Sequence, residues 1–331
     1  MMDENDLHGA LSVFWQQHCQ DVKKVAVAVS GGADSTALVL SLSHFLAGKN
    51  IQIYALTVDH ALREDSAQEA GDVGKVLSGL SNVTHTVLRW DHGACKPETR
   101  IQEHARNARY ELIYRFMDDH GLSHLFLGHH MGDQAETFLF RLAKGSGLDG
   151  LSCMLPVQQR ENVILCRPFL MFGKADLISY CRQNDVAYVD DPSNENQSFA
   201  RVRLRKSQQV LEEEGLTAKR LATTAYRMAR ARKALDAIAQ VAYEDNLLEF
   251  NVNRIVFNFN ALKNNEEEVI LRVVLKAIKQ MYSNREYGVR VEKLEKLCVD
   301  LVKPSPFRKR TLGGVIFERN DKCGHLILSR E

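Results

Sequence analysis

The chain has 331 residues, 45% of them hydrophobic and 26% charged, with 43 Lys and Arg against 42 Asp and Glu, for a formal net charge of +1. That balance is globular, predicts two domains at roughly 100–200 residues each, and excludes a uniformly basic nucleic-acid coat. Any nucleic-acid surface must be a local patch.

The cysteines Cys19, Cys95, Cys153, Cys166, Cys181, Cys298 and Cys323 are odd in number and form no CxxC pair. This argues against a disulfide framework or a four-cysteine zinc site and fits reduced thiols in a cytoplasmic protein. The first residues, MMDENDLHGA, are acidic and polar, unlike a signal peptide. No apolar run approaches the ~18–20 residues of a membrane helix, so no membrane association is expected.

In chain order, Leu7, Ala10, Leu11, Phe14 and Trp15 recur at helical spacing and predict a helix over 6–20. The unbroken run Val25–Val29 suits a strand buried on both faces of a parallel sheet. A helix is expected from Thr36 to Leu46, a strand from Ile51 to Val58, a helix over 66–80 and a strand from Val83 to Leu88. Then come a long helix over 98–119, a short strand at 125–128 and a helix from about Asp133. Strands alternating with helices predict a Rossmann-like α/β parallel sheet. Residues 207–245 read as a charged, alanine-rich helical connector. Beyond it, a strand-like stretch at 250–259, helices at 266–282 and 291–301, and strands at 311–318 and 325–328 predict a small α+β module. The expected boundaries are 1–206, 207–245 and 246–331.

The chemistry concentrates first in Ser30-Gly31-Gly32-Ala33-Asp34-Ser35, between the first strand and its helix. A strand, a glycine turn and a helix start bring several backbone N–H groups to one point, where they and the helix dipole favour an anion. The glycines allow close backbone approach, and Ser30 and Ser35 add hydroxyls. Asp34 would repel phosphate unless a Mg²⁺ bridges the two. The loop lacks the GK[ST] ending of a Walker loop. The bland alternative is an ordinary turn with Asp34 or Ser35 as N-cap.

Four other segments matter. Asp59-His60-Ala61-Leu62-Arg63 follows the second strand, at the sheet edge where ligands bind. There Arg63 could neutralise a phosphate, while Asp59 could hold a ribose or orient His60. Arg106 and Arg109 share a helix face and could meet phosphate or RNA. Gly128-His129-His130-Met131-Gly132-Asp133-Gln134-Ala135-Glu136-Thr137 gathers two histidines and two carboxylates at a helix start. A capping box with Asp133 as N-cap and Glu136 reaching back is expected there, whatever else these residues do. The fourth segment, Asp190-Asp191-Pro192-Ser193-Asn194, precedes the alternating Arg201, Arg203 and Arg205. From Arg201 to Lys233 there are ten Lys and Arg against three Glu, a local basic patch.

SGGADS after an apolar strand resembles the pyrophosphate-binding loop of the N-type ATP pyrophosphatases. With the four segments in this order, residues 25–206 resemble the tRNA(Ile)-lysidine synthetase family, and the C-terminal module is similar to that family's small second domain. The chain departs from the family's GHHxDDQAET at Gly132, which replaces an aspartate. It departs again at Val202, which replaces an asparagine.

The resemblance implies that ATP adenylates O2 of the wobble cytidine in a CAU-anticodon isoleucine tRNA. The ε-amine of free L-lysine then attacks C2, giving lysidine, AMP and pyrophosphate. It implies Ser30–Ser35, Asp59, His60 and Arg109 around ATP, and Mg²⁺ on Asp34. Asp34, Arg63, His130, Asp133 and Glu136 are the expected catalytic set. Arg201, Arg203 and Arg205 are expected to touch RNA, and a homodimer is left open. A tRNA thiolase of the same superfamily is the nearest alternative, but that chemistry calls for a cysteine pair.

Overall fold

The computed structural model describes residues 4–62, 65–92, 101–189, 208–282 and 289–331. It divides into two compact units, Met1–Ala229 and Arg230–Glu331.

The first unit is built on a six-stranded sheet. Its strands are β1 (Lys24–Ala28), β2 (Gln52–Asp59), β3 (Val83–Arg89), β4 (His124–Phe126), β5 (Val157–Arg160) and β6 (Val163–Cys166), in the order β3-β2-β1-β4-β6-β5. All pairings are parallel except that of β5 with β6. Alternation along β1 divides its side chains between two cores. Val25, Val27 and Val29 pack with α1 (Glu4–His18), α2 (Ala33–Leu46), α3 (Ser66–Leu77) and α7 (Lys174–Gln183). Ala26 faces Ile113 and Met117 of α4 (Ile101–Asp119) on the other side. Both faces are covered, which is why β1 reads as a continuous apolar run.

The chain leaves β1 toward β2 on one side and later returns to β4 on the other. The strand order therefore reverses between β1 and β4, which opens a crevice at their carboxyl ends. The loops after these two strands carry Ser30–Gly32 and Leu127–His130.

α5 (Met131–Leu142) follows β4, then α6 (Leu148–Leu151). Ala135 and Phe138 of α5 pack with Cys153, Leu221 and Ala225. The predicted connector is two helices, α8 (Gln208–Glu213) and α9 (Ala218–Asn246), separated at Gly215 with φ +83°.

The second unit holds an antiparallel sheet in the order β7-β8-β11-β10-β9. Its strands are Leu247–Asn251, Arg254–Asn258, Arg310–Leu312, Val315–Asn320 and His325–Arg330 for β7 to β11. Its inner face, with Ile255, Phe257, Val315, Phe317, Leu326 and Leu328, packs on α11 (Glu267–Met281) and α12 (Val291–Val302). A short α10 (Phe259–Leu262) precedes α11.

Two stretches expected as single strands are hairpins. In 250–259 the chain turns at Val252, with Asn253 N–H donating to Asn251 Oδ1 at 3.0 Å. In 311–318 it turns at Gly313-Gly314, both with positive φ (62° and 76°), as a tight two-residue hairpin requires. Among the described residues no helix is long and apolar enough to cross a membrane.

Candidate active site

The glycine loop forms the floor of the crevice. Gly31 has φ +83°, and a Cβ there would lie 2.8 Å from Val73 Cγ2, so only glycine fits. Its carbonyl accepts from Val189 N–H at 2.9 Å, which ties the loop to the chain just before residue 190. The N-cap of α2 is Gly32, not Asp34 or Ser35, and no side chain caps it. Ser35 Oγ instead donates to Gly32 O at 3.1 Å, accepts from Ser30 N–H at 3.1 Å and lies 3.3 Å from Ser30 Oγ. Thr36 N–H makes the first helical bond, to Gly32 O at 3.0 Å. The amides ahead of it, from Gly32 to Ser35, form an uncapped helix start, with Asp34 in the first turn.

The loop after β4 is pressed directly onto this cradle. A Cβ on Gly128 would come 2.9 Å from Asp34 O, 3.0 Å from Asp34 C and 3.0 Å from Ser35 N. His130 follows as the N-cap of α5 (φ −125°, ψ −178°). This corrects the expected box: the cap sits three residues earlier than Asp133. Asp133 is the residue that reaches back, its Oδ2 accepting from His130 N–H at 2.9 Å. An imidazole nitrogen serves here as the capping acceptor, a role that propensity assigns to short oxygen side chains. His130 Nδ1 accepts from Gly132 N–H at 2.9 Å. Its Nε2 lies 3.7 Å from both Asp34 Oδ2 and Asp133 Oδ2. Glu136 is half-buried one turn further along α5.

A second cluster caps β2 and β3. Asp59, 5% exposed, accepts from Ala61 N–H at 2.8 Å in a turn that gives Ala61 φ +50°. Burial opposes the Asp59 charge. Hydrogen bonds from Ser66 and Ala61, with the Arg89 cation, nevertheless hold its pKa below the usual carboxylate value. Arg109 Nη2 donates to His60 Nε2 at 3.1 Å. Burial first, and Arg109 next, push the His60 pKa down to about 4 against the pull of Asp59, so His60 is a neutral acceptor that aims the guanidinium.

Sequence reasoning missed Trp90 and His92 in this cluster. Their ring centroids lie 4.2 Å apart, and His92 Nε2 donates to His60 O at 2.8 Å. It also missed Arg167, 5% exposed at the end of β6, which donates to Leu155 O at 3.0 Å. Burial, then the cations Arg167 and Arg106, drive the His129 pKa down to about 4, with Asp133 opposing. A lone Trp-Asp-His or Cys-Arg-Pro carries no local signal, because only sheet pairing brings these residues to the crevice.

The fold thus brings together Ser30, Gly31, Gly32, Ala33, Asp34, Ser35, His130 and Asp133. Asp59, His60 and Arg109 form the neighbouring cluster, and Arg106 lies over the Tyr110 ring at 5.2 Å. Arg63, Asp190, Arg201, Arg203 and Arg205 lie outside the described residues.

The PP-loop domain family model matches residues 5–213. The chain is 36% identical over 313 residues to the tRNA(Ile)-lysidine synthase of Methylobacterium sp. (strain 4-46), covering 93% of this chain and 89% of that one. It is 37% identical to the enzyme of the same name from Methylobacterium nodulans, covering 93% and 90%. Among solved structures, the U34-tRNA thiolase of Methanococcus maripaludis superposes with a TM-score of 0.55 at 15% identity, covering 70% of this chain and 78% of that one. That likeness shows the fold alone.

Proposed function

The chain belongs to the tRNA(Ile)-lysidine synthase family of PP-loop enzymes, and from that premise we propose that residues 30–35 hold the departing pyrophosphate while the His130–Glu136 turn handles the amine. The protein is an ATP-dependent ligase that forms lysidine on an isoleucine tRNA. In this reading O2 of the target cytidine attacks the α-phosphorus of ATP and pyrophosphate leaves. The ε-amine of lysine then attacks C2, AMP leaves, and the amine gives up a proton.

The observation that carries this reading is the uncapped start of α2, facing a loop whose His130 Nε2 stands 3.7 Å from Asp34. The N–H groups and dipole of a helix start that opens into a crevice stabilise charge that develops on a leaving pyrophosphate. Arg109, oriented by neutral His60, adds a fixed positive charge at the rim. Asp133 and Glu136 present carboxylates to the lysine ammonium. The amine's ordinary pKa is ~10.4, so it must lose a proton before attack.

Magnesium fits the same point. Among the described residues no group of three or more His, Cys, Asp or Glu side chains could cage a metal. Asp34 and Asp133, however, are each partly exposed (30% and 27%) and turned toward one imidazole. One or two carboxylates suit a Mg²⁺ that arrives with nucleotide and keeps phosphate and water ligands. Bound on Asp34, it would neutralise phosphate charge. Arg201, Arg203 and Arg205, with the basic residues up to Lys233, are assigned to the tRNA backbone.

The test is mass spectrometry of a CAU-anticodon isoleucine tRNA transcript incubated with the protein, ATP, Mg²⁺ and lysine. The expected product carries one added lysine less water, with AMP and pyrophosphate released together. Release of ADP and orthophosphate without AMP would overturn the proposal.

A further inference from the structure

Arg167 is a buried cation without a counterion. It directly follows β6 and is 5% exposed. Its Nη1 donates to Leu155 O at 3.0 Å, and Gln158 Oε1 lies 3.4 Å from Nη2 and 3.5 Å from Nη1. Both of those oxygens are neutral. Nε is buried and has no hydrogen-bond partner. Among the described residues no carboxylate acts on this guanidinium. Burial lowers its pKa, Tyr110 opposes, and the cations Arg160 and Arg106 lower it further. Arginine is almost never fully buried unless it is paired, because water solvates the charge far better than amide oxygens do. Arg106, exposed and lying over the Tyr110 ring at 5.2 Å, is a second cation that solvent and ligand can reach.

The neighbouring turn is of opposite sign. The His129 ring feels the carboxylate of Asp133 and, against it, the cations Arg167 and Arg106. One carboxylate and two guanidinium groups are thus grouped around a single imidazole. A small zwitterion, with an amine at one end and a carboxylate at the other, matches that grouping. A phosphate of a polynucleotide does not, since it is carried on a continuous chain and meets arginines at the surface, whereas Arg167 is enclosed. The Nε–Nη2 edge of a guanidinium can donate two parallel hydrogen bonds to a carboxylate, and here that edge has no anion on it. We infer that Arg167, supported by Arg106, takes the α-carboxylate of free lysine while the His130–Glu136 turn takes its ε-amine. Arg167 then selects an amino acid over a plain diamine. This deepens the function proposed above and rests on it for the identity of the amine.

The test is equilibrium dialysis of L-lysine and of cadaverine, which is lysine without its carboxylate, against full-length protein with ATP and Mg²⁺ but no tRNA. The wild type should bind lysine about a hundredfold more tightly than cadaverine, the effect of a charge-assisted pair out of water. Arg167→Met should erase that preference and leave cadaverine binding unchanged, which also reports that the variant is folded. Arg106→Gln, at an exposed position, should narrow the preference about threefold. A wild type that binds the two amines equally, or neither, would overturn the inference. So would an Arg167→Met protein that keeps the preference. If Arg167→Met loses both amines, Arg106→Gln decides, and an unchanged preference there overturns the assignment. No product is read in this experiment, so its failure is distinguishable from failure of the ligase assignment.

Discussion

Gly128→Ala tests whether the crevice depends on two loops touching backbone to backbone. Gly128 has no positive φ, so alanine meets no conformational penalty and only sterics are at issue. Its Cβ would lie 2.9 Å from Asp34 O and 3.0 Å from both Asp34 C and Ser35 N, whereas ordinary contacts begin at 3.4 Å. The obstacles are backbone atoms that cannot rotate away, so the loops must part by about 0.5 Å. A 1 Å misplacement costs about a hundredfold in rate, so half of that predicts about tenfold, or about 1.4 kcal/mol on the barrier. Overpacking should also lower stability by about 1–3 kcal/mol. The assay is single-turnover pyrophosphate release with saturating tRNA, alongside urea unfolding. Gly71→Ala is the control. It sits in α3 with nothing within 4 Å of the added Cβ, so it should stabilise by about 0.5–1 kcal/mol and leave the rate alone. A wild-type rate for Gly128→Ala would refute the claim that this contact positions the glycine loop.

Asp133→Asn keeps an oxygen that can accept from the His130 N–H and cap α5 but removes the charge. Lysine addition should fall about a hundredfold while adenylation, followed by AMP–tRNA formation without lysine, falls much less; equal losses would remove Asp133 from the amine step. His60 titrates at about 4 when folded and at ~6.5 when unfolded. The unfolded chain therefore takes up a proton first as the pH drops. The stability that His60 contributes above ~6.5 is lost progressively toward pH 4, and His60→Gln should flatten that slope in urea titrations. If Arg201, Arg203 and Arg205 touch tRNA phosphates, replacing all three with alanine should reduce the log–log salt slope of binding by about one per contact; an unchanged slope would make this patch an ordinary solvated surface.

The sheet was legible along the chain because burial on two faces leaves an unbroken apolar run. Val25–Val29 needed no context to be read as an inner strand, and the glycines beside it carry their own conformational signal. The capped start of α5 was legible in kind but misplaced, because an imidazole seldom caps a helix. The two hairpins of the second unit were hidden for a related reason. Asn251–Asn253 and Gly313-Gly314 interrupt stretches whose apolar content is strand-like on both sides.

By itself, then, the sequence determined local events: the doubly buried inner strand, the glycine turn that follows it, and the order of motifs that marks the family. Tertiary structure alone decided which distant residues share the site. His130 meets Asp34 across ninety-six positions because the strand order reverses between β1 and β4, and Trp90, His92 and Arg167 reach the same sheet edge because they follow β3 and β6, which run parallel to their neighbours β2 and β4. Sheet pairing sets such neighbours, and it depends on contacts between segments that no window of sequence contains.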